Sequence, residues 1–171
     1  MTTTFVTRRL RLREMTPEDF DLMADLLGDP DVMRHYPRPK TRDEARRWIE
    51  WNQQLYQERG HGLWAMFLRE TGEFVGDCGL TPQRVDGVEE LEVGYHVRTA
   101  LQGRGLATEA ASACRDFARN TLRADRLVAV IAPANVPSQR VAEKLGLCLE
   151  KRTTGYGAGD REQLIYAMAL I

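Results

Sequence analysis

With 171 residues, the chain has the length of one domain and enough residues to bury a sizeable core. Its 24 Lys and Arg against 25 Asp and Glu leave a formal charge of −1, which provides neither a global basic field for nucleic acid nor an acidic tail. Cys78, Cys114 and Cys148 are scattered and odd in number, His35, His61 and His96 lie at no metal-ligand spacing, and no apolar run nears the ~20 residues of a membrane span.

The opening MTTTFVTRRL has no signal-peptide core. Together these features predict a single domain over residues 1–171, reduced and cytoplasmic, with no metal, no nucleic acid and no membrane among its partners. In chain order, Arg9-Leu10-Arg11-Leu12-Arg13 alternates with period two and predicts a half-buried strand with its arginines on the solvated face. Thr16-Pro17-Glu18-Asp19 then places an N-cap and a proline ahead of Phe20, Leu22, Met23, Leu26 and Leu27, a short helix stopped by Gly28. Thr41 to Glu44 is a capping box, followed at mainly helical spacing by Ala45, Trp48, Ile49, Trp51, Asn52, Leu55 and Tyr56 up to Gly60. Three strand-like stretches, Leu63 to Arg69, Phe74 to Leu80 and Leu91 to Val97, are separated by Glu70-Thr71-Gly72 and Val85-Asp86-Gly87, which predicts an antiparallel meander.

From residue 104 the period becomes helical, with Leu106, Ala110, Ala113, Cys114, Phe117, Ala118 and Leu122 on one stripe. Leu127 to Ile131 reads as a buried strand, Pro137 to Leu145 as a short helix ended by Gly146, and Leu147 to Arg152 and Leu164 to Leu170 as closing strands. Seven strands among helices that fall between them imply a mixed sheet with helices on both faces.

The informative stretch is Val97-Arg98-Thr99-Ala100-Leu101-Gln102-Gly103-Arg104-Gly105-Leu106-Ala107-Thr108, between a strand and an amphipathic helix. Gly103 and Gly105 permit tight turns, and the helix behind them begins with unpaired N–H groups at the positive end of its dipole, a combination that suits phosphate. A plain strand-to-helix turn carries the same pair of glycines. There is no Gly-x-x-x-x-Gly-Lys-Ser/Thr, and Thr108 stands where a dinucleotide motif needs its third glycine, so both of those phosphate folds are excluded.

Gln102-x-x-Gly105-x-Ala107 resembles the pyrophosphate loop of the GNAT superfamily of acyl-CoA-dependent N-acyltransferases. Thr7 to Arg13, Glu92-Val93-Gly94-Tyr95, and Asn135-Val136-Pro137-Ser138 through Glu143-Lys144-Leu145-Gly146 resemble the RimJ/RimL-like branch, in that branch's order. The resemblance implies an α/β fold of the α+β type: a mixed, mostly antiparallel twisted sheet of about six to seven strands with helices on both faces. A bulge in the fourth of those strands splays it from the fifth, and the cofactor lies in the gap. It also implies acetyl-CoA as cosubstrate, with Tyr95 and the main chain at Val97 along the pantetheine, and Gln102, Gly103, Arg104, Gly105, Leu106, Ala107 and Thr108 around the pyrophosphate. Arg104 is either a phosphate contact or a solvated arginine. Asn135 and Ser138 begin the next helix, where capping alone or capping with cofactor contact both fit.

For the chemistry, the resemblance implies direct attack of an amine on the thioester. Many superfamily members protonate the leaving thiolate with a tyrosine where this chain has Ala142, which leaves Ser138 as candidate acid, with water as the alternative. Glu92 is the candidate base, ahead of His96 four residues along the same strand and of Glu162. The acceptor implied by the branch is a protein N-terminal α-amine, and the alternatives are a small-molecule amine (aminoglycoside, polyamine or amino acid) or, in another class, a non-catalytic acyl-CoA-binding module. The helical region between Thr16 and Arg59, the stretch Arg34, His35, Tyr36, Arg38 and Lys40, and the glycine-rich loop from Gly155 to Asp160 are expected around the acceptor. The resemblance is compatible with a homodimer.

Overall fold

The computed structural model describes residues 4–157 and 160–171. The described chain forms strands β1 (Thr4–Val6) and β2 (Leu10–Glu14), helices α1 (Phe20–Gly28) and α2 (Arg42–Arg59), strands β3 (Leu63–Leu68), β4 (Phe74–Val85) and β5 (Val88–Val97), helix α3 (Leu106–Asn120), strand β6 (Arg126–Ile131), helix α4 (Val136–Leu145), and strands β7 (Cys148–Thr153) and β8 (Gln163–Ala169). One sheet takes them in the order β1-β2-β3-β4-β5-β6-β8-β7, every pairing antiparallel except β5 with β6. The count is eight rather than six to seven because β1, at three residues too short to show a strand period, pairs with β2 at the sheet edge.

Local signals set most boundaries. Thr41 caps α2 by accepting from the Glu44 N–H, and the Glu44 carboxylate accepts from the Thr41 N–H, while Gly60 ends the helix at φ 75°. Pro17–Asp19 is a 3-10 turn ahead of α1, and Leu22, expected on the apolar stripe, is exposed. β4 and β5 meet in a two-residue turn whose Asp86 and Gly87 both have positive φ, 50° and 80°, the twist a tight hairpin requires. β4 therefore runs to Val85 instead of stopping at Leu80, through Pro82. The ladder alternates such that Leu80 turns its N–H toward β3, to the Gly62 carbonyl; Pro82, two residues on, faces the same way, past the end of β3. The missing N–H leaves no ladder bond unmade.

The two faces of the sheet bury different sets. Leu12, Trp64, Met66, Cys78 and Val93 pack with Ala110, Cys114, Ala142 and Leu145 of α3 and α4. On the opposite face Leu63, Ala65 and Phe74 pack with Met23, Leu27, Ala45 and Ile49 of α1 and α2. Along β5 the alternation puts Val93, Tyr95 and Val97 with the α3–α4 core and Glu92, Gly94 and His96 on the α1–α2 face.

Candidate active site

β5 is fully zipped to β4, all ten residues in unbroken register from Val88 opposite Val85 to Val97 opposite Gly76. Against β6 it forms a single ladder pair, Glu92 with Val128, and from there to Val97 the two strands part. The bulge expected in this strand is absent from its β4 side; the opening arises on the β6 side alone. Arg98 N–H donates to the Val75 carbonyl at 2.9 Å, so Val97 and Gly76 are a non-hydrogen-bonded pair. Tyr95 and Val97 consequently turn their N–H and C=O groups away from β4, into the wedge. Gln102 Nε2 donates to the Val97 carbonyl at 2.9 Å, tying the following loop back to the strand end.

That loop ends where α3 begins. Gly103 and Gly105 adopt φ 76° and 77°, and a Cβ on Gly103 would meet nothing, so backbone conformation rather than space demands glycine there. The first intrahelical bond is Glu109 N–H to the Gly105 carbonyl, which leaves the N–H groups of Leu106, Ala107 and Thr108 without helical acceptors, as an anion site requires. An acid in the first turn of α3 would repel an anion, yet Glu109 is neutralised in place. Its carboxylate accepts from Thr7 Oγ1 (2.5 Å), from the Arg9 N–H (2.8 Å) and from Arg9 Nε (2.8 Å), and these bonds hold its pKa down against partial burial. Arg9 Nη1 also donates to the Arg104 carbonyl at 2.8 Å, so the Thr7–Arg13 segment clamps the loop from behind. The Arg104 side chain lines a cleft of about 660 Å³ with Arg8, Arg9, Arg11 and Arg69.

Across the wedge, Asn135 caps α4 by accepting from the Ser138 N–H at 3.2 Å. Ser138 Oγ lies 2.7 Å from Tyr95 Oη, which also reaches the Ser138 carbonyl at 3.1 Å. Ser138 and Tyr95 are thus brought together on the α3–α4 side of β5. Ala142 is buried one turn further along α4.

The other side of β5 holds the carboxylates. Glu92 Oε2 is sealed from solvent without a hydrogen-bond partner, and burial pushes its pKa from 4.5 up to about 8. Gly94 leaves the room it occupies: a Cβ there would stand 3.2 Å from Glu92 Oε1. His96, on the same face, donates and accepts in a chain that the sequence reading lacked. Its Nδ1 lies 2.7 Å from Asp77 Oδ1, its Nε2 lies 2.8 Å from Tyr36 Oη, and Trp48 Nε1–H donates to Asp77 Oδ2 at 3.2 Å. Asp77 is wholly buried on β4, and its one sequence signal is a carboxylate inside the apolar run Phe74 to Leu80. Glu162 is elsewhere, exposed and paired with Arg152 at 2.7 Å.

The basic stretch is mostly engaged internally: Arg38 forks onto Glu44 (2.6 and 2.9 Å), Lys40 stacks over Trp48, and the His35 carbonyl accepts from Arg161. Of the glycine-rich loop, Gly155 accepts from the Asp86 N–H and Tyr156 bridges to Val85, so its start is docked on the β4–β5 turn; Ala158 and Gly159 lie outside the described residues. Among the described residues no cluster of His, Cys, Asp and Glu could hold a metal, and no helix is long and apolar enough to cross a membrane.

The fold that carries this arrangement is shared with known proteins. Residues 9–147 match the family model described as an acetyltransferase (GNAT) domain. The Bacillus subtilis (strain 168) protein YkkB is 41% identical over 150 residues, 87% of each chain. The crystal structure of an acetyltransferase from Agrobacterium tumefaciens superposes with a TM-score of 0.83 at 30% identity, over 97% of this chain and 94% of that one. RimL, a ribosomal L7/L12 α-N-protein acetyltransferase solved with coenzyme A, shares the fold at TM-score 0.80 and 18% identity over 98% of both chains. With four-fifths of its length inside the family's model, and the fold shared with a 30% identical acetyltransferase, the chain belongs to the GNAT family and is an N-acetyltransferase.

Proposed function

We propose that this enzyme transfers the acetyl group of acetyl-CoA directly to a protein N-terminal α-amine. The residues present fit the cosubstrate. The N–H groups of residues 103–108 suit the pyrophosphate, the outward-turned main chain of Tyr95 and Val97 suits the pantetheine, and Asn135 and Ser138 border the thioester end. Acetyl-CoA supplies an activated acyl carbon. The protein's residues position it and move protons.

The observation that carries the reading is the division of labour across β5. Glu92 lies on the α1–α2 face and Ser138 with Tyr95 on the α3–α4 face, with the wedge between them. An amine approaching from one side loses its proton to Glu92, while the thiolate leaving on the other takes one from Ser138. When Tyr95 O–H donates to Ser138 Oγ, the Ser138 proton is free for the sulfur. A base at about 8 is matched to an α-amine of pKa ~7.7–8.0 and poorly matched to a lysine at ~10.4. RimL, which shares the fold, acts on an α-amine of a ribosomal protein.

The test is release of free CoA thiol from acetyl-CoA against Ser-, Ala- and Met-initiated hexapeptides, an Nα-blocked lysine peptide, spermidine, kanamycin and single amino acids. Release that requires a free peptide α-amine supports the reading. Release with spermidine, kanamycin or amino acids alone would transfer it to small-molecule amines, and binding of acetyl-CoA with no release would leave a binding module.

A further inference from the structure

We propose that Tyr36, His96 and Asp77 form a second proton-accepting relay on the acceptor side of the wedge, working beside Glu92; this rests on the transferase reading above. An ammonium acceptor must shed two protons to become an amide: one before attack and one from the nitrogen once the new C–N bond has formed. The leaving thiolate takes up one. Glu92 and Ser138 account for the first loss and the gain on sulfur, and no group so far receives the second proton.

The relay has the geometry to receive it. Asp77 has only acceptor oxygens when ionised, and both are used, Oδ1 by His96 and Oδ2 by Trp48 Nε1–H. The proton of neutral His96 therefore sits on Nδ1 and its Nε2 is an acceptor, so Tyr36 O–H donates to it across 2.8 Å. Tyr36 is anchored by its hydroxyl, which is buried against His96, while 45% of the residue as a whole faces solvent, so this side chain spans from the buried pair to the open side of the site. In the transfer, the acceptor N–H bond breaks as an O–H bond forms at Tyr36, the original tyrosyl O–H breaks as Nε2–H forms on His96, and Asp77 balances the imidazolium. The proton then returns to solvent by the same path.

The setting favours a working chain over plain packing. His96 and Asp77 are both buried in an otherwise apolar part of the sheet, where an uncompensated polar pair is costly. The groups in contact with His96 come from three elements: Asp77 on β4, Tyr36 in the α1–α2 connection, and Trp48 on α2 with its edge-on ring at 5.9 Å and Lys40 over that ring; Glu92 shares the same face of β5 four residues away. Tyr36 also feels both the Asp77 and the Glu92 carboxylates.

Two measurements on the full-length protein test it. Long-range nitrogen–proton NMR of the three histidines, with His96 assigned through H96Q, should find His96 as the Nδ1–H tautomer and its Nε2 resonance moved in Y36F; the other tautomer, or no change in Y36F, overturns the relay. Steady-state kinetics with acetyl-CoA and the best hexapeptide of the panel should show kcat lowered about 10²-fold in Y36F and H96Q, with KM for acetyl-CoA unchanged and one limb lost from the pH profile of kcat. Equal kcat and an unaltered profile in Y36F would overturn it. A wild-type protein inactive toward every amine would instead sink the transferase reading. Y36F alters one hydroxyl on a half-exposed side chain, so loss of the fold does not confuse the result.

Discussion

Glu92, the proposed base, links stability to chemistry in a single side chain. Its pKa is 4.5 unfolded and about 8 folded, so between those values the native state holds a proton that the unfolded state has lost. Stability contributed by the protonated form is full below 4.5 and declines as pH rises to about 8, by at most about 1.4 kcal/mol per unit. Denaturant unfolding of E92Q against wild type should therefore show equal stability near pH 4.5 and a growing advantage for E92Q up to pH 8. In turnover the same variant should lose the limb of kcat/KM that rises toward pH 8, with activity down about 10²-fold or more. S138A keeps the Tyr95 bond to the Ser138 carbonyl, which is main chain, so it should fold as wild type and bind acetyl-CoA normally. Its kcat should fall about 10- to 100-fold, and an S138A enzyme with full kcat would assign the sulfur proton to water.

At the scale of elements, the proposed anion site at the N-terminus of α3 is held in shape by the segment leading into β2. Removing Arg9 leaves the Glu109 carboxylate unneutralised in the first turn and frees the Arg104 carbonyl. Calorimetric titration of R9A with CoA should show affinity reduced about 10-fold or more, while R11A, whose side chain makes no such bond to the loop, should change it less. G105A adds a side chain at φ 77°, a strain of about 1–2 kcal/mol that the loop can relieve only by turning its N–H groups away. It should weaken CoA binding with little effect on Glu92 titration, since the two lie at different ends of the wedge. Affinity retained in G105A would show that the pyrophosphate is not held there.

For the whole molecule, CoA at about 100 times its dissociation constant should add about 2.7 kcal/mol, or a rise of about 5–10 °C in Tm, measurable by thermal unfolding without knowledge of the acceptor. The sequence by itself determined most of the elements, because caps, glycine stops and apolar periods are local: the Thr41–Glu44 box and the Asp86-Gly87 turn stand where the pattern puts them, and α3 carries its stripe from Leu106 to Ala118, with Leu122 past the helix end. It also located the left-handed glycine turn that leads into α3, since glycines and a helix start are contiguous in the chain. Only the tertiary structure decided that Glu92 Oε2 is sealed and unpartnered whereas Glu162 is an exposed ion pair, because burial depends on what other elements cover. The same holds for the Tyr36–His96–Asp77–Trp48 chain and for Thr7 and Arg9 against Glu109. Their members are 19 to 102 residues apart, a separation over which no periodicity carries information and only sheet order and helix packing bring side chains into contact.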